Sequence, residues 1–82
     1  MHSITTAGID ITIDNGFRGY LWTLDSSTNG LGLFFVIATG AGVITVYPIK
    51  DASKVVHTET TNNLNLKSTS GSILGMLTRV TA

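Results

Sequence analysis

The chain predicts an all-β fold, a small antiparallel β-sandwich of about six to seven strands with jelly-roll-like or Greek-key wiring. Three observations predict it. Apolar and polar residues alternate at period two, and clusters of Gly, Asn, Asp and Ser recur about every ten residues. No stretch carries a sustained helical stripe with caps, although one helical turn fits around residues 51–56. The 82 residues make one domain, near the lower end of what folds without staples.

The first strand is the clearest. In Ile9-Asp10-Ile11-Thr12-Ile13-Asp14 the odd positions are Ile and the even ones polar, the mark of a half-buried strand. Asn15-Gly16 follows, a favoured pair for a type I′ hairpin turn. Residues 17–24 carry aromatics and Leu around Gly19, which reads as a bulge or a close backbone approach. Residues 25–30 are a polar loop. Residues 31–39 and 43–47 form a hairpin about Gly40-Ala41-Gly42, and Pro48 marks a strand end or a sheet edge. Residues 54–57 make a short strand and 58–63 a polar connection. Leu64-Asn65-Leu66-Lys67 alternates again, 68–71 turn, and 73–80 close the domain. Met1 and His2 read as start-codon or cloning residues, and the chain as an excerpt from something longer.

Composition removes several function classes. There is no Cys, so neither a disulfide framework nor a thiolate metal site is available. His2 and His57 have no third ligand spaced near them, which argues against a metal site, and no cofactor motif is present. Five basic and five acidic residues balance to zero and are scattered singly. Nucleic-acid binding and attachment to an anionic membrane both want clustered Lys and Arg. The longest apolar run, residues 31–38, falls short of a membrane span, so no membrane insertion is expected. The N-terminus lacks the basic and apolar regions of a signal peptide. Charged residues are only 12% of the chain, while 13 Thr, 7 Ser and 5 Asn supply polarity. Such a neutral, hydroxyl-rich surface does little to hold molecules apart, which suits a part that assembles.

The pattern in residues 31–38 points the same way. Leu31, Leu33, Phe35 and Ile37 lie on one strand face, and Gly32, Phe34, Val36 and Ala38 on the other. Residues 43–47 and 73–77 are also apolar on both sides. A sandwich strand ordinarily buries one face and wets the other, so a doubly apolar strand implies an outer cover. A homo-oligomer is expected, a homotrimer first, with Phe34, Val36, Ile44 and Val46 at its interface. The competing reading is a tightly rolled small barrel that folds these residues inward.

Motifs with chemical content mostly reduce to structure. Gly30-Leu31-Gly32 and Gly40-Ala41-Gly42 are each followed by a strand, whereas a phosphate loop needs a helix N-terminus. Asp10 and Asp14 stand about 13 Å apart at strand rise, too far for paired-carboxylate catalysis. Together with Asp25 they also lack the spacing of a calcium loop, and read as solvated charges. No Gly-x-Ser-x-Gly elbow occurs and His57 has no partner in sequence, so no catalytic residue is assigned and no enzyme is expected. Tyr20 and Trp22 alternate onto one strand face, near Asp25 and Asn29. Exposed rings beside carboxylates and amides are what a carbohydrate platform uses, although core packing is the commoner use of a single Trp. Tyr20, Trp22, Asp25, Asn29 and Asn62 are therefore the candidate contacts to a receptor or glycan, largely on loops.

One resemblance enters on residues 31–82. The strand Leu31-Gly32-Leu33-Phe34-Phe35-Val36, the Gly turn, Val43-Ile44-Thr45-Val46, then Thr60-Thr61-Asn62-Asn63-Leu64-Asn65-Leu66-Lys67-Ser68 and a closing apolar strand follow in order. This order resembles the C-terminal domains of phage and prophage tail-fibre or other virion surface proteins. The resemblance implies a distal β-sandwich on the phage particle, usually trimeric, that helps the fibre fold or binds a host-surface glycan or protein receptor. It carries over no functional residue. Two alternatives stand beside it: a monomeric carbohydrate-binding module of a bacterial protein, and a capsid decoration or head-fibre protein.

Overall fold

The computed structural model describes residues 2–25, 27–28, 30–50 and 54–80. Among them the chain is all-β, with eight strands in two antiparallel sheets and no helix. The strands are β1 (His2–Ile4), β2 (Ile9–Thr12), β3 (Arg18–Asp25), β4 (Gly30–Ala38), β5 (Ile44–Lys50), β6 (Val55–Thr60), β7 (Asn63–Ser68) and β8 (Ile73–Arg79). One sheet has the order β1-β8-β3-β4-β5, the other β2-β7-β6. The nested pairs β1–β8 and β2–β7 are wound as in a jelly roll. The run β3-β4-β5 is a meander, and β8 returns through the other sheet to lie beside β3, a Greek-key return.

Between the sheets lies a core of aliphatic side chains and two Phe. The five-stranded sheet contributes Ile4, Leu21, Phe34, Val36, Ala38, Ile44 and Ile73, the three-stranded sheet Ile11, Leu64 and Leu66. Ile13 and Phe17 close one end. The odd-numbered Ile of the first alternating segment do point inward, as period two requires.

Several local expectations change. His2 to Ile4 is a strand: His2 pairs with Gly75 and Ile4 is wholly buried, so His2 belongs to the fold. Three residues are too few to show alternation, which is why the segment has no sequence signal. Asn15-Gly16 does not close a hairpin, since β2 and β3 lie in different sheets. The segment is a corner, with Phe17 N–H donating to the Asp14 carbonyl. Gly16 has φ of 74° while Asn15 does not enter the left-handed region, so the type I′ geometry is absent. Burial of both Ile13 and Phe17 pulls the chain from one sheet to the other. Residues 58–60, expected in a connection, extend β6, and Thr61-Asn62 alone turns it into β7. The helical turn considered at 51–56 falls partly on residues 51–53, outside the described ones. Val55 and Val56 are strand.

Other expectations hold. The β4–β5 hairpin forms around residues 39–43, where the Thr39 hydroxyl accepts from the Ala41 and Val43 N–H groups. Pro48 lies in β5, an edge strand, where a missing ladder donor is tolerated. Gly19 pairs in register with Val36 and Arg79, without a bulge. It serves a close approach, because a Cβ there would collide with the Thr78 carbonyl and the Phe17 ring.

Candidate functional site

The outer face of the five-stranded sheet holds the feature that the core does not explain. Strand register arranges its side chains in cross-strand rows. Leu74, Leu24 and Leu31 make one row, and Met76, Trp22 and Leu33 the next. Thr78, Tyr20, Phe35 and Tyr47 form a third, followed by Arg18, Ile37 and Thr45. Tyr20 packs tilted against both Trp22 and Phe35, with ring centroids 6.5 and 5.2 Å away. Trp22, Leu24, Leu31, Tyr47, Leu74 and Met76 each keep 38–50% of their surface in solvent. A shallow depression of about 240 Å³ opens among Trp22, Thr23, Leu24, Leu31, Leu74 and Met76.

The outer face of the three-stranded sheet contrasts with it. Asp10 and Thr12 of β2, Asn63, Asn65 and Lys67 of β7 and Thr58 of β6 alternate away from the core. The Asp10 carboxylate accepts hydrogen bonds from the Asn63 and Asn65 amides at 3.1 and 3.0 Å. Those donors, Asn65 foremost, hold the Asp10 carboxyl below its ordinary range. One side of the sandwich is thus mostly apolar and aromatic, the other mostly polar, with Val56 of β6 an exposed apolar residue on it.

The expected interface row requires a correction. Phe34, Val36 and Ile44 are buried in the core and Val46 packs against it. The opposite row of β4, with Leu31, Leu33, Phe35 and Ile37, faces out instead. Both rows of that strand are apolar, so β4 alone cannot choose between them. The neighbouring strand could have decided, since charged Arg18 shares a row with Tyr20, Trp22 and Leu24 and marks that row as outward. Leu24, Leu74 and Met76 are the surface residues that reading β4 in isolation misses.

The five expected contact residues fall in separate places. Tyr20 and Trp22 sit together on the apolar face. Asp25 ends β3 turned inward and 8% exposed, accepting from the Ser27 N–H, the Ser27 hydroxyl and the Thr28 hydroxyl. The Lys54 ammonium contacts the same carboxylate at 2.9 Å. Lys54 first, then Ser27, hold the Asp25 carboxyl far below the usual carboxylate range. Asn62 stands at the other end of the sandwich, beside the corner that precedes β3, about 23 Å of strand rise from Asp25. Its amide donates to the Ile13 carbonyl at 2.7 Å and to the Asn15 side chain at 2.8 Å. Asp25 and Asn62 are therefore committed to internal bonds. Asn29 lies outside the described residues.

The Ser27 and Thr28 hydroxyls donate to an Asp25 carboxylate that Lys54 already pairs, and among the described residues no hydroxyl bonds a histidine. His57 lies against the Phe34 ring and contacts Glu59 at 2.8 Å, with no hydroxyl bonded to the pair. Among the described residues no three His, Cys, Asp or Glu side chains converge on a common point. Comparison with protein-family models, with curated proteins and with solved structures finds no match to this chain.

Proposed function

We propose that the chain is a non-enzymatic structural module of the phage-virion type, which works by assembling with copies of itself into a homotrimer on the particle surface. One observation carries the reading: the outer face of the five-stranded sheet is a contiguous, largely apolar surface, larger than most monomers leave exposed. Its six most exposed large side chains, with their half-buried neighbours, present about 600–800 Å². The largest patch on an ordinary monomer is about 300–600 Å², and a stable subunit contact takes about 800 Å² from each partner. A formal charge of zero leaves little repulsion between copies. The resemblance of residues 31–82 to virion fibre domains supplies the setting, and adhesion to a host receptor is the task such domains accompany. Tyr20 and Trp22 then serve assembly, and receptor contact falls to other surfaces.

Mass in solution, followed by light scattering over a hundredfold dilution, tests the reading. A stable multiple of the chain mass is expected, three copies for the trimer. A monomer at micromolar concentration would overturn it and favour the monomeric binding module.

A further inference from the structure

We infer that the contact between copies is made by sheet faces and not by strand edges, with the face around Trp22, Leu24, Leu31, Leu74 and Met76 turned toward the axis that the three copies share. This inference rests on the assembly reading and deepens it by naming the surface. Small β-domains associate by two routes, adding strands edge to edge or packing sheet faces. Both edges of the five-stranded sheet are blunted. β1 is only three residues long, and β5 carries Pro48 and a register shift opposite Leu33 and Phe34. The edges of the smaller sheet, β2 and β6, lie beside an outer face that is polar apart from Val56 and gains little from losing water.

The apolar face has the contrary properties. Among the described residues the Leu74–Leu24–Leu31 row holds no charged side chain, and the Met76–Trp22–Leu33 row meets one only at its β5 end, where Lys50 pairs with Leu33. Its rings, Tyr20, Trp22 and Tyr47, present an apolar body with one polar atom, the side-chain type enriched where subunits meet. The area of about 600–800 Å² approaches what one partner contributes to a stable contact, so the same face of the other two copies about the shared axis is a sufficient cover.

The test uses the full chain and compares Leu24→Glu and Met76→Glu with Thr58→Arg. Leu24 and Met76 are already exposed in one copy, so a charge there leaves the fold intact, as circular dichroism reads. A buried, unpaired carboxylate at the contact is expected to weaken association by about 100-fold or more. Both variants should then run at the mass of a single chain, while Thr58→Arg on the polar sheet keeps the parent mass. The only Trp of the chain gives a second, mutation-free readout. Trp22 emission should shift red and acrylamide quenching rise as the parent protein is diluted to single chains. An oligomer that survives both Glu substitutions, or that Thr58→Arg dissociates, would overturn the face assignment while leaving assembly intact. A parent protein of single-chain mass would overturn both.

Discussion

Asp25 turns its carboxylate onto its own loop, where Ser27 and Thr28 donate to it and Lys54 pairs with it. A short polar side chain at a strand end that binds the backbone two residues on is an Asx-type turn, and here it fixes the entry to the β3–β4 hairpin. The pairing has a consequence for acid stability. A carboxyl whose folded-state pKa lies below its unfolded value of 3.8 stabilises the fold fully above that value. The contribution is lost as pH falls from about 4 toward the depressed value, because the unfolded chain takes up the proton first. Asp10, held down by Asn65 and Asn63, acts in the same direction. The urea midpoint should therefore be level between pH 5 and 7 and fall below about pH 4. Asp25→Asn should flatten most of that fall, and Asp10→Asn a smaller part. An acid limb unchanged in Asp25→Asn would show that the Lys54 pairing does not bear on folding.

Elements meet at Asn62 more tightly than their sequence suggests. It holds the two-residue turn between β6 and β7 with φ of 56°, a left-handed conformation that Asn tolerates better than most residues. Its backbone N–H donates to the Gly42 carbonyl and its own carbonyl accepts from Ile13, while its amide reaches Ile13 and Asn15. One residue thus ties the β6–β7 turn to the β4–β5 hairpin and to the corner between the sheets. Asn62→Ala removes two side-chain hydrogen bonds and places a Cβ residue without local bonding in the left-handed region. The expected loss is about 2–3 kcal/mol in denaturant unfolding, and Asn62→Gly should lose about 1 kcal/mol less because the backbone strain is relieved. Equal losses for both would show that conformation plays no part. Asn62 also marks where the sequence stops being legible. Period-two alternation gives β2 and β7, while aromatic, Leu-rich and β-branched runs bounded by polar or glycine turns give β3 and the β4–β5 hairpin. The same local signal cannot say that Asn15-Gly16 turns a corner, since hairpin and corner differ only in where β2 finds its partner, β7, which lies more than fifty residues on. Nor can alternation choose the outward row of β4 when both rows are apolar. That choice is made by the strands alongside it, where Arg18 occupies the outer row and Leu21 the inner one.

At the scale of the whole molecule, an 82-residue sandwich closes its inner core with a three-stranded sheet and leaves the larger sheet half used. A five-stranded sheet with two apolar faces needs a layer on each side, and a single copy provides only one. If the other copies of a trimer provide the second layer, folding and association are linked, and stability becomes a function of protein concentration. For three chains that unfold together, a hundredfold rise in concentration should raise the thermal midpoint by about 10–12 °C. A contact through this face would be apolar and the chain carries no net charge, so sodium chloride at moderate concentration should leave the midpoint nearly unchanged. Sulfate, which strengthens apolar burial, should raise it further. Scanning calorimetry over that concentration range, with each salt in turn, reads all three effects. A midpoint independent of concentration would mean that the sheet face stays wet in the folded unit. Strong weakening by sodium chloride would move the contact from the Trp22–Met76 rows to the scattered charges at their margins.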